Sequence, residues 1–207
     1  MERIILIKLT LFLFLFGSLN LYAEENVFEE KEHCLAYRTE KTLFFFTDVD
    51  VVGKSCKIGT KTHWSEDHSK VQFEVSVPIN SFDSGIGQRD KDVLEILRGD
   101  QYPNIRFISN EVIVKDIRAA LKSGELPLPG VLDVAGNSFT LIFPLKFSEK
   151  SGNLIVEGEV LTKFSDFKVQ VPDVGPGGML ADPGEYLEIL IHLNTSKISG
   201  IKEILGK

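Results

Sequence analysis

Apolar and polar residues alternate along several segments of this chain, and the alternation constrains the fold more than any other sequence feature. Residues 71–77 are the cleanest case, since Gln72, Glu74 and Ser76 separate four apolar residues. Successive side chains of a β-strand point to opposite faces of the sheet, so a period of two is typical of a strand with one buried face. The same period, with some irregularities, recurs in five further segments: 43–51, 104–114, 141–147, 154–160 and 187–193.

Turn-forming residues separate these segments. They fall at 66–69, 135–137, 150–153 and 172–184. Short alternating strands divided by such turns indicate an antiparallel sandwich or barrel. Residues 90–98 differ and predict a short helix, with Asp90 as its candidate N-cap and Gly99 as its stop. A weaker helical pattern covers residues 114–122.

The first 23 residues predict a secretory signal peptide. Arg3 and Lys8 precede a short apolar run, and the small residue Ala23 offers a cleavage point. The run is shorter than the roughly 20 apolar residues of a membrane span, although an uncleaved N-terminal anchor remains the alternative. We therefore expect an exported protein, periplasmic or extracellular. Residues 24–33 are interpreted as a flexible acidic leader, 34–195 as one domain and 196–207 as a C-terminal tail.

The chain has two cysteines, Cys34 and Cys56. In an oxidising compartment such a pair is a candidate disulfide, and both residues lie in or beside predicted strands. Spacing alone cannot fix the pairing, so two free thiols packed as small apolar groups remain the alternative.

The charge and the scattered histidines exclude several functions. A net charge of −7 argues against a nucleic-acid binder, which needs a basic surface. His63 and His68 flank Glu66 and Asp67, but we interpret this segment as a solvated hairpin loop rather than a metal site. His192 falls on the outward phase of a strand, where we expect it to be exposed. No cofactor, metal or catalytic residue is expected.

Large apolar side chains dominate the predicted inward faces. The interior of an eight-stranded barrel is just wide enough to be filled by side chains or to hold one small ligand. The periodicity fits a cavity for a long hydrocarbon and a solid core equally well. The candidate lining residues are Leu43, Phe45, Phe73, Val75, Phe107, Phe143, Leu145, Phe147, Val156, Phe164, Ile189 and Ile191.

Two polar features bear on a ligand site of this kind. Arg89 would either neutralise the polar or phosphate head of a ligand at the barrel mouth or pair locally while Asp90 caps the helix. Helix-end electrostatics favours the local pair. The glycine- and proline-rich loop 172–178 is a candidate lid.

Three consecutive segments, residues 79–85, 88–94 and 101–109, carry motifs in a distinctive order. A strand ends in a serine- and asparagine-containing turn with a glycine, an Arg-Asp pair opens a short helix, and a strand with the pattern Tyr-Pro-x-Ile-x-Phe follows. These segments resemble the YceI-like family, and weaker similarities extend the resemblance over roughly 42–193.

The resemblance implies an all-β fold, an eight-stranded antiparallel lipocalin-like barrel with one short helix. It also implies export to the periplasm and binding of an isoprenoid or another long-chain, fatty amphiphile, without catalysis. Two other hypotheses stay open: a solid barrel that binds partners through the strand face of Phe44 and Phe46, and a metal-dependent enzyme that uses His63. Whether the protein is a monomer or a homodimer is also open.

Overall fold

The computed structural model describes residues 26–44, 47–171, 181–182 and 184–206, and it confirms the predicted barrel-like all-β class. The described strands are β1 (Cys34–Leu43), β2 (Thr47–Ser55), β3 (Gly59–Trp64), β4 (Lys70–Pro78), β5 (Asn104–Ser109), β6 (Val112–Ile113), β7 (Glu125–Val134), β8 (Asn137–Lys150), β9 (Asn153–Lys163), β10 (Ala181–Asp182) and β11 (Tyr186–Asn194). The described helices are α1 (Gly87–Ile96), α2 (Val114–Ser123) and α3 (Ile201–Leu205).

All the strands belong to one antiparallel sheet that curls on itself. Its order is β10-β1-β11-β9-β8-β7-β5-β4-β3, and β2 pairs with the other side of β1. Because β2 and β3 are consecutive in the chain, residues 56–58 connect the two ends of the sheet. Eight strands remain if β2 and β3 count as one bent strand and the two-residue strands β6 and β10 are set aside.

The single strand expected over 43–51 is wrong, because a hairpin divides it. β1 ends at Leu43, Phe44 adopts a left-handed φ of 49°, and β2 begins at Thr47. This turn contains no glycine, proline or asparagine, so the sequence carries none of the usual turn signals. Phe44 is 60% exposed at the hairpin, whereas Phe45 and Phe46 lie outside the described residues.

Both predicted helices are confirmed, but the predicted cap of the first is wrong. Helix α1 begins after Ile86, which provides no side-chain cap within the described residues. Asp90 instead accepts hydrogen bonds at Oδ1 from the backbone N–H (2.9 Å) and the hydroxyl (2.7 Å) of Ser84. The Asp90 carboxylate therefore fixes the loop that leads into the helix.

The C-terminal residues fold against the barrel and are not a free tail. Helix α3 buries Ile201 and Ile204, which form an apolar cluster with Ile117 of α2 and Val71 of β4. Helices α2 and α3 thus cover the end of the barrel at which β4 begins and β11 ends.

Residues 26–33 of the expected acidic leader pack against the barrel. Glu32 forms an ion pair with Lys54 (2.7 Å), and the ring of Phe28 stacks on His192 with centroids 5.4 Å apart. This segment, which we call the N-terminal arm, covers the outer face of the sheet. His192 is therefore 2% exposed, and the prediction of an exposed histidine is wrong.

Cys34 and Cys56 are joined by a disulfide, the first of the two alternatives for these residues. Because Leu35 pairs with Ser55 in the β1–β2 register, the bridge ties together the ends of two adjacent strands. No described helix is long and apolar enough to cross a membrane. The predicted signal peptide, residues 1–23, lies outside the described residues.

Candidate ligand-binding cavity

The curled sheet encloses a cavity of about 390 Å³. Most of its lining residues are apolar, and they come from both halves of the sheet and from helix α1. Pockets for small molecules commonly measure about 300–1,000 Å³ and are mainly apolar, so this cavity has the size and character of a ligand site. The interior is not filled by side chains, in contrast to the solid-core alternative.

Ten of the twelve predicted lining residues lie on the cavity wall. They are Phe73, Val75, Phe107, Phe143, Leu145, Phe147, Val156, Phe164, Ile189 and Ile191. Leu43 is not among the lining residues, because β1 ends there at the hairpin. Phe45 lies outside the described residues, as does the whole of the predicted lid at 172–178.

Aromatic packing shapes one wall of the cavity. The rings of Phe107 on β5 and Phe143 on β8 meet edge to face, with centroids 5.1 Å apart and an interplanar angle of 88°. Gly130 on β7 lies beneath this pair, and a Cβ atom at that position would be 2.5 Å from the Phe107 ring. The glycine therefore allows the aromatic pair to approach the backbone of the strand between them.

Sequence reasoning missed two groups of lining residues. Leu128, Leu132 and Val134 belong to β7, in which Pro127 and Pro129 conceal the strand pattern. Helix α1 adds a second group: Val93, Ile96 and Leu97. Leu126, Leu128, Leu132 and Val134 still follow a period of two, so alternation was the available signal for β7.

Tyr37 of β1 places a hydroxyl group on the apolar wall, and the sequence did not predict it as a lining residue. Its ring lies over Gly53, where a Cβ atom would collide with it, and is tilted against Phe82 with centroids 5.7 Å apart. Burial raises the pKa of Tyr37 to about 12, against the opposing effect of the Arg89 charge. The phenol therefore keeps its proton at neutral pH.

Charged side chains reach the cavity at its margins: Glu40, Lys41, Lys61, Glu74, Arg89 and Asp92. Glu74 is compensated by its neighbours, because Arg106 lies 3.0 Å and Lys61 3.5 Å from its carboxylate. The hydrogen bond from Arg106, with a smaller one from His63, lowers the pKa of Glu74 to about 2.

Arg89, like Lys41, lacks the neighbours that compensate the charge of Glu74. Its side chain is half-buried at the cavity wall, and it forms no ion pair or side-chain hydrogen bond with any described residue. The local pair that the sequence favours for Arg89 is therefore wrong.

The histidines of the 63–68 segment do not assemble a metal site. His63 Nε2 lies 3.3 Å from Glu74 Oε2, whereas His68 stacks on Trp64 with ring centroids 5.2 Å apart. In the part of the chain that the structure describes, the one cluster of three potential metal ligands is Glu32, Cys34 and Cys56. Its two sulfur atoms are already joined in the disulfide.

Comparisons with known proteins agree with this geometry. The family model described as "YceI-like domain" matches residues 37–193. The structure of BcnA from Burkholderia cenocepacia superposes with a TM-score of 0.55 at 16% identity, covering 77% of this chain and 94% of that one. A domain from Saccharophagus degradans, described as polyisoprenoid-binding and implicated in plant cell wall breakdown, gives 0.52 at 12% identity, with 77% and 93% coverage. At these identities the likeness shows the fold alone. No curated protein matches the sequence.

Proposed function

Because the chain belongs to the YceI-like domain family, a family of binding proteins, we propose that it holds a long-chain amphiphile, isoprenoid-like or fatty, inside its barrel. The observation that carries this proposal is the apolar cavity of about 390 Å³. The polyisoprenoid-binding description of the Saccharophagus degradans domain supports a ligand of the same general kind.

Burial of a hydrocarbon supplies the affinity in this proposal. Each methylene removed from water contributes about 0.8 kcal/mol, so ten buried methylenes contribute roughly 8 kcal/mol before the cost of association. The lining of Phe107, Phe143 and Val156 can bury such a chain without directional contacts. The wall therefore tolerates isoprenoid and fatty chains alike.

The proposal includes export, with transport or sequestration of the ligand in the periplasm or outside the cell. The signal-peptide pattern at residues 1–23 supports export. The Cys34–Cys56 disulfide supports it independently, because disulfides persist in oxidising compartments. Fractionation of cells that express the full chain tests this part, and retention of the protein in the cytoplasm would contradict it.

The binding proposal is tested by extraction of freshly purified protein with organic solvent and mass spectrometry of the extract. We expect a bound amphiphile in wild-type protein and its loss in Val75→Phe, which adds volume at the cavity wall. Ser76→Phe is the matched control, since Ser76 is the next residue along β4 and points to the other face. Absence of any amphiphile from the wild type, or equal amounts in both variants, would contradict the proposal.

A further inference from the structure

We infer that Arg89 and Tyr37 form a recognition site for an anionic head group, a carboxylate or a phosphate, at the end of the bound chain. This inference rests on the proposed function and specifies its ligand class. A wall that was entirely apolar would disfavour a charged head group, because burial of an unpaired charge is costly, whereas Arg89 and Tyr37 supply hydrogen-bond donors to this wall.

The first observation is the unpaired charge of Arg89. A guanidinium that is partly removed from water is ordinarily paired, because burial of an unpaired charge is costly. Arg89 lines the cavity without an ion-pair partner among the described residues. Its neighbour Asp90 is engaged by Ser84 through two hydrogen bonds, at 2.9 and 2.7 Å.

The second observation is the hydroxyl of Tyr37. Tyr37 is half-buried, and its hydroxyl has no hydrogen-bond partner in the part of the chain that the structure describes, so it is free to donate to a ligand. Gly53 and Phe82 fix its ring from two sides. Arg89 and Tyr37 line the same cavity, where the charge of Arg89 opposes the effects of burial and of Asp90 on the pKa of the phenol. The two side chains therefore place a cation and a neutral donor at one part of the wall.

Three carboxylates lie near this site, and Asp90 is the least exposed of them, but its Oδ1 accepts two hydrogen bonds from Ser84. Glu40 and Asp92 also reach the lining, but both are exposed, and water and salt screen exposed charges. Asp92 also accepts a hydrogen bond from the amide of Gln88 (2.9 Å). Arg89 is the less exposed charge, so a ligand in the cavity interacts with it more strongly.

An anionic head group satisfies both donors. A guanidinium forms paired, charge-assisted hydrogen bonds with carboxylates and phosphates, and the phenol can donate a further bond. An ester head group carries no charge to compensate Arg89, and an alcohol accepts only weakly. The cavity should therefore prefer an acid to its neutral analogue of equal chain length.

Titration of the full mature chain with four twelve-carbon probes tests the inference: dodecanoate, dodecyl phosphate, dodecanol and methyl dodecanoate. We expect the wild type to bind at least one anionic probe roughly tenfold or more tighter than both neutral probes. Arg89→Met should remove this preference, and Tyr37→Phe should reduce it. Lys91→Met is the control, since Lys91 is an exposed cation of the same helix that does not line the cavity.

The four probes separate the possible outcomes. The anion that binds more tightly identifies a carboxylate or a phosphate source. Equal affinity for charged and neutral probes, or an unchanged preference in Arg89→Met, would overturn the inference and leave the proposed function intact. Failure of all four probes to bind would count against the proposed function itself. Arg89→Lys keeps the positive charge and should retain part of the preference, which distinguishes loss of recognition from loss of folding.

Discussion

The imidazole of His192 lies against the carboxylate of Glu157, with 3.1 Å between Nδ1 and Oε1, beneath the N-terminal arm. Its other nitrogen, Nε2, is 3.3 Å from the backbone oxygen of Glu30 in the arm. Both partners are oxygen atoms, so the imidazole contacts the sheet through one nitrogen and the arm through the other. His192 thus connects the outer face of the sheet to residues that precede the first strand.

Replacement of His192 should release the arm. His192→Ala removes the stacking with Phe28 and both ring contacts, and we expect a loss of about 1–3 kcal/mol in the free energy of unfolding. Limited proteolysis followed by mass spectrometry should show faster cleavage within residues 26–33. His68→Ala is the control, because His68 is an exposed hairpin residue remote in sequence from the arm. Equal cleavage rates in the two variants would show that His192 does not hold the arm.

The stability of the protein should fall as the pH drops below about 6.5, through His33. Burial, with the nearby charges of Lys197 and His192, lowers the pKa of His33 below its usual 6.5. The unfolded chain therefore binds a proton at His33 more readily than the folded chain does. The stabilising contribution of neutral His33 to the folded state is present above about pH 6.5 and is lost as the pH falls. His33 Nδ1 has no hydrogen-bond partner among the described residues, in agreement with a neutral ring.

Urea denaturation at pH 7.5 and pH 5.5 measures this effect. The difference in unfolding free energy between the two pH values should be smaller in His33→Gln than in wild type. His68→Gln, at an exposed histidine without an ion pair among the described residues, should leave the difference unchanged. A pH dependence identical in His33→Gln and wild type would refute the assignment.

Loss of the disulfide should destabilise the fold without abolishing it. Cys34 and Cys56 are 22 residues apart, and closure of a loop of this length corresponds to about 3 kcal/mol in the chain-entropy treatment. The double variant Cys34→Ser/Cys56→Ser should lose about this amount in chemical denaturation. A reductant should destabilise wild type but not the double variant, and a similar effect on both would rule out the bridge.

Substitutions on the inner and outer faces of β8 and β11 should differ sharply in how much they lower the free energy of unfolding. Phe143→Ala should lower the free energy of unfolding by about 3 kcal/mol. This is near the lower end of the loss usual for a buried phenylalanine, because the ring borders a cavity. Ile189→Glu should cost several kcal/mol, since it buries an unpaired charge. Ile142→Ala, at a position 57% exposed and adjacent to Phe143, should change the stability by less than about 0.5 kcal/mol. Equal effects at positions 142 and 143 would contradict the assignment of the inner face.

Period-two alternation accounts for what the sequence could predict. It placed Phe73, Val75, Ile189 and Ile191 on the inner face correctly, because the side-chain period of a strand is independent of the rest of the fold. It failed at the hairpin after Leu43, where four consecutive apolar residues favour both faces and no turn residue marks the reversal.

The remaining errors arose from tertiary contacts without a local signal. The outward position of His192 on its strand was correct, but only the folded N-terminal arm shows that this face is covered. The contacts of Asp90 likewise lacked a local signal, because its carboxylate accepts hydrogen bonds from Ser84, six residues earlier, and does not cap the helix. Neither effect follows from a period or a motif.

The most direct test of the central claim, that an apolar chain lies inside the barrel, is the measurement of intermolecular nuclear Overhauser effects. Protein with labelled methyl groups would be saturated with the tightest-binding twelve-carbon probe. We predict contacts from the chain to the methyl groups of Leu145, Val156 and Ile191, which line the cavity. Contacts confined to the outward methyl groups of Ile142 and Leu161, which are 57% and 63% exposed, would contradict the claim.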